Sequence, residues 1–68
     1  MGDNKAFIEG QEVKINGLAS AAELNGLRAI VVRKEHSVKA AEAWAKARVP
    51  VLVTESKKIV SVKPENLT

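Results

Sequence analysis

The stretch VPVLVTESKKIVSV, residues 49–62, decides how the chain is read. Val49, Val51 and Val53 alternate with Pro50, Leu52 and Thr54, and beyond the polar Glu55, Ser56 and Lys57 the run resumes with Lys58, Ile59, Val60, Ser61 and Val62. β-Branched residues at a period of two on both sides of a short polar turn predict a β-hairpin. Pro50 has no N–H to give to a ladder, which places it at the start or edge of its strand.

Moving toward the N-terminus, LRAIVVR at 27–33 is apolar and β-branched between charged flanks and predicts another strand. Val13 and Ile15 alternate with Glu12, Lys14 and Asn16 between Gly10 and Gly17, which predicts a half-buried first strand. The segment from Leu18 to Gly26 reads as a loop that closes over the core with Leu18 and Leu24 and turns at Asn25 and Gly26. From Ser37 to Arg48 the composition changes to alanine with Lys, Glu and Arg, which favours helix over strand. Ser37 suits the N-cap. Val38, Ala41 and Ala45, with Trp44, form the expected docking stripe, and Lys39, Glu42 and Lys46 the expected water-facing side. Pro50 stops the helix from continuing. After the hairpin, Pro64 to Leu67 predicts one helical turn anchored by Leu67.

The resulting order, two strands, a helix and two strands, predicts a mainly β (α+β) fold built as a small, partly open barrel or strongly bent sheet. Residues 1–9 are expected as a loosely held, flexible tail with Phe7 and Ile8 available to tuck inward. Residues 10–68 are expected as one domain with a helical insertion at about 37–48.

GQEVKI (10–15), ELNG (23–26), RVPVLV (48–53) and VKPENL (62–67) recur in this order in a known barrel module, and the chain resembles it. That module resembles Src-homology-three-like barrels and is found in multidomain eukaryotic proteins, often algal or protist, beside ankyrin repeats and MYND-type fingers. The resemblance implies a small Src-homology-three-like β-barrel with one helix inserted between strands two and three. Ala29 stands where the module usually has glycine, and residues 34–47 stand where it has a short loop. The first half, a G-x-x-V-x-I pattern followed by Gly26 and a valine-rich strand, is also similar to the KOW motif. That similarity implies RNA contact.

Composition narrows the function. The 68 residues carry a net charge of +3, one histidine and no cysteine. Disulfides and thiolate metal sites are thereby excluded, and no cofactor or metal is expected. A cysteine-free chain fits a reducing compartment, cytoplasmic or nuclear. No run approaches the roughly 20 apolar residues of a membrane span. Residues 1–25 hold Lys5 and Lys14 against Asp3, Glu9, Glu12 and Glu23, a balance of −2, and residues 26–68 hold nine cations against four acids, a balance of +5. Such polarity permits an anionic partner.

His36 and Ser37 are adjacent but lack an orienting acid and an oxyanion site, so a non-enzymatic protein is expected. With one tryptophan, one phenylalanine and no tyrosine, a proline-peptide groove and a methyl-lysine cage both lack the rings they need. Arg28, Arg33, Lys34, Lys57, Lys58 and Lys63 form a phosphate-contacting patch if their strands adjoin, and otherwise protect sheet edges. Trp44 either packs the helix onto its own domain or serves as the hot spot of an interface. The leading expectation is a protein-interaction or scaffolding module whose partner is another protein or a neighbouring domain. The alternative is an RNA-binding barrel, and a third expectation is a homo-oligomer.

Overall fold

The computed structural model describes residues 4–68. Five regular elements follow in order: β1 (Glu12–Lys14), β2 (Arg28–Val31), α1 (Val38–Ala45), β3 (Val49–Val53) and β4 (Lys58–Val62). Short 3-10 turns lie at Asn4–Ala6, Ala22–Leu24, Lys34–His36 and Pro64–Asn66.

The strands form one open four-stranded sheet in the order β1-β2-β3-β4, and every neighbouring pair is antiparallel. The fold is therefore mainly β with one helix, and the helix sits between β2 and β3 in the chain. The register pairs Val13 with Ala29, Val31 with Val51, and Val51 with Val60. After the turn that begins at Pro64 the chain returns to β1. Lys14 and Thr68 exchange N–H···O bonds of 3.0 Å each, Ile15 bridges Leu67, and Asn16 N–H donates to Asn66 O at 2.8 Å.

Alternation decides the core. Val13, Ala29, Val31, Val49, Val51, Val53 and Val62 share one face and are buried with Ile15 and Leu67. Phe7, Leu18, Leu24, Leu27, Trp44 and Val60 pack around them. Leu18 and Leu24 close the 18–26 loop as its leucine spacing predicts, and Asn25 pins that loop by bonding both Leu18 N–H (2.9 Å) and Leu18 O (3.1 Å). The hairpin of β3 and β4 turns through residues 54–57, with Lys57 in the left-handed region at φ 60°. Pro50 is as buried as Val49 and Val51 although alternation points it to the opposite face, so this end of β3 is covered on both sides. Helix α1 lies against β3 and β4.

The helix departs from the sequence reading in its phase. Ala40 and Ala43 are the buried positions and Trp44 is half-buried, whereas Ala41 and Ala45 face water and Val38 is 77% exposed. Alanines 40, 41, 43 and 45 spread over more than half of the helix circumference, so this apolar arc is wider than the stripe that docks. Its orientation is set by longer contacts: the Trp44 indole bonds Val32 O and Lys39 Nζ bonds Ile59 O. Ser37 caps the N-terminus as expected, its Oγ accepting from Ala40 N–H at 3.1 Å. The C-terminus falls earlier than residue 48. Ala47 adopts φ 59°, Ala47 N–H donates to Trp44 O and Arg48 N–H donates to Ala43 O, a Schellman ending that finishes the helix well before Pro50 is reached.

Residues 1–3 lie outside the described residues, but Asn4 is only 8% exposed and Phe7 packs against the core, while Ile8 remains 71% exposed. Asn4 is anchored by two hydrogen bonds to the end of α1.

Candidate functional site

Trp44 is held by a gap in the sheet. Continuing the register of β2 and β3 places Val32 opposite Pro50, where two residues of an antiparallel ladder would exchange two hydrogen bonds. Val32 N–H donates to Pro50 O at 3.0 Å. Proline has no hydrogen to return. The Nε1–H of Trp44 takes its place, donating to Val32 O at 3.1 Å. The indole thus supplies the bond that Pro50 leaves missing, and its ring is fixed at the junction of α1 with the sheet.

Asn4 fixes the opposite wall. Its Nδ2 donates to Trp44 O at 3.0 Å and to Arg48 O at 3.1 Å, at the C-terminal end of α1, where Trp44 O also accepts from Ala47 N–H. Phe7 N–H donates to Asn4 O at 3.2 Å, and Ile8 N–H donates to Gln11 Oε1 at 3.0 Å, which carries the chain from the helix end to β1.

Between these walls lies an open groove of about 580 Å³ lined by Asn4, Phe7, Ile8, Glu9, Lys34 and Trp44. The single phenylalanine and single tryptophan of the chain therefore meet in one place. Their faces and the exposed Ile8 make its lining chiefly apolar, with the cation of Lys34 and the carboxylate of Glu9 contributing charge. Such a surface suits capture of a large apolar side chain, because burying one against aromatic walls yields roughly 1.5–3 kcal/mol. Trp44 packs the helix against the sheet and also lines this open groove. Phe7, Ile8 and Asn4 were not identifiable as site residues from the sequence, since nothing local ties them to residues 44–48.

The six cations considered for phosphate contact are spread out. β2 and β4 do not adjoin, because β3 lies between them. Arg28 begins β2, directly opposite Lys14, and Thr54 donates to Arg28 O through both N–H and Oγ1 at 3.3 Å. Lys58 pairs with Val53, next to this corner, and Lys57 stands in the turn. Arg33 and Lys34 follow the far end of β2, and Lys63 follows Val62, which pairs with Val49. Arg33 lies five residue steps beyond Arg28, about 17 Å of extended chain at about 3.3 Å per residue. The set is thus divided between the two ends of the sheet, with Arg28, Lys57 and Lys58 at one and Arg33, Lys34 and Lys63 at the other. Arg28 also lies 3.9 Å from Glu12, an exposed pair of the kind that contributes little.

His36 is exposed in the 34–36 turn, and the Ser37 hydroxyl is engaged in capping. Among the described residues, no three metal-ligating side chains are grouped and no helix is long and apolar enough to cross a membrane. No family model, curated protein or solved structure matches the chain.

Proposed function

We propose that this chain is a non-enzymatic protein-interaction module that holds an apolar side chain of a protein partner in the groove between Trp44 and Phe7. The observation that carries the reading is the convergence of the chain's two aromatic side chains with exposed Ile8 on one open, chiefly apolar surface. Both walls are anchored by hydrogen bonds from Trp44 and Asn4, so a ligand meets a pre-organised surface and little ordering cost remains to be met on binding.

The fold reading that goes with it is a Src-homology-three-like barrel carrying a helical insertion. Its support is the antiparallel meander, the turn at Pro64–Asn66 and the return of Leu67 and Thr68 to β1, which takes the last residues back to the first strand. A cytoplasmic setting fits the cysteine-free composition. The RNA-binding alternative has weaker support, because its cations are divided between the two ends of the sheet.

Trp44 is the sole tryptophan and sits in the groove, so its fluorescence reports occupancy without a label. Peptides selected from a random displayed library against the native domain are expected to shift Trp44 emission and to lose binding to Ile8→Glu. That variant is expected to keep native stability, since surface changes usually stay within about 0.5 kcal/mol. Selected peptides that bind Ile8→Glu as well as native protein, with no change in Trp44 emission, would refute the groove as the site.

A further inference from the structure

Among the described residues β4 forms the outer edge of the sheet, and none of its residues lines the groove. β1 is the edge that the 66–68 segment meets through the Lys14 and Thr68 bonds. Among the described residues β4 pairs only with β3. Lys39 Nζ donates to Ile59 O at 3.1 Å, so the carbonyl of Ile59 is turned away from β3. Ser61, two residues on, has the same orientation by strand alternation. Ile59 and Ser61 therefore offer their backbone groups outward, and a side-chain ammonium already occupies one of the acceptors.

Two features of this edge define what fits it. The first is charge: Lys39, Lys57, Lys58 and Lys63 lie along or at the ends of β4, against Glu55 and Glu65 just beyond it. The second is a half-buried apolar row crossing the sheet, in which Ile30 pairs with Leu52 and Leu52 with Ile59, so that the row ends at the edge. A further strand would extend the row with an apolar residue opposite Ile59 and satisfy the lysines with acids at its flanks.

We propose that the β4 edge accepts an extended acidic segment of a protein partner as a fifth, antiparallel strand. Its apolar residue lies opposite Ile59, its carboxylates lie opposite Lys58 and near Lys63, and Lys39 exchanges the Ile59 carbonyl for a carboxylate. Main-chain bonds supply the affinity and the lysines the choice of sequence, as in other strand-addition complexes. This inference is independent of the groove and stands or falls separately from it.

The test is a titration of the isotope-labelled chain with acetyl-Asp-Thr-Val-Ile-Glu-Glu-amide, and with the same peptide carrying lysine for each acid. Hydrogen exchange at the Ile59 and Ser61 amides is expected to slow with the acidic peptide and to stay unchanged with the basic one. Ser61→Pro removes an outward donor and none of the bonds to β3, so native spectral dispersion is expected with binding weakened about tenfold, the equivalent of one lost hydrogen bond. Lys39→Glu is expected to weaken binding by a similar factor and serves as the check if Ser61→Pro does not fold. Three outcomes overturn the proposal: equal binding of both peptides, shifts confined to Phe7, Ile8 and Trp44, or protection of the edge amides that rises with protein concentration in the absence of peptide. The last would mark pairing between two copies of β4.

Discussion

Replacing Pro50 by alanine should make the Trp44 indole N–H dispensable. In the native chain Val32 O receives no bond from residue 50 and takes one from Trp44 Nε1 at 3.1 Å. Trp44→Phe keeps an aromatic ring but leaves that carbonyl without its donor, at a residue only 9% exposed. Orphaning a buried acceptor costs about 1–3 kcal/mol, and the smaller ring adds a packing loss. In Pro50→Ala the new amide at position 50 completes the ladder, so Trp44→Phe there should cost only the packing part. Pro50→Ala has its own cost, since the ring is fully buried, but the double-mutant cycle subtracts it. The expected coupling between the two sites is about 1–2 kcal/mol, or several degrees in Tm at about 4–8 °C per kcal/mol for a domain of this size. Urea melts of the four proteins followed by far-ultraviolet circular dichroism measure it without relying on tryptophan. Coupling within about 0.3–0.5 kcal/mol of zero, the ordinary error of additivity, would refute the reasoning.

Two further changes probe the same corner of the molecule. Ala47→Gly should stabilise the protein, because Ala47 sits exposed at φ 59° and glycine escapes a left-handed penalty of about 1–2 kcal/mol while losing about 0.5–1 kcal/mol of chain entropy. The net gain of roughly 0.5–1 kcal/mol should appear as a higher urea midpoint at unchanged slope, and a lower midpoint would contradict the Schellman ending. Asn4→Ala should cost about 1–2 kcal/mol by removing both Nδ2 bonds to Trp44 O and Arg48 O. It should also broaden the Phe7 ring resonances and weaken groove ligands, and unaltered Phe7 resonances would show that the wall stands without its anchor.

Four strands, the hairpin turn and a helix cap were legible in the sequence because each is a local matter. The alternation of Val49, Val51 and Val53, the polar residues after Thr54 and the serine before an alanine-rich run all act within one element, where side-chain period and backbone chemistry decide the outcome. The face of α1 was not legible. Alanines at 40, 41, 43, 45 and 47 differ too little in burial energy to choose a stripe, and the choice passed to Trp44 and Lys39, whose partners lie 12 and 20 residues away. The groove was hidden for the same reason: Asn4 reaches across 40 and 44 residues to the end of α1 and brings Phe7 and Ile8 with it.

The cations show the division most simply. Their number and their bias toward the second half of the chain are properties of the sequence alone. Whether they act together depends on strand order, and antiparallel pairing through β3 puts Arg28 at the opposite end of the sheet from Arg33 and Lys63. Local pattern therefore determined which elements exist. Long-range hydrogen bonds and strand order, whose partners no local pattern names, decided which residues meet.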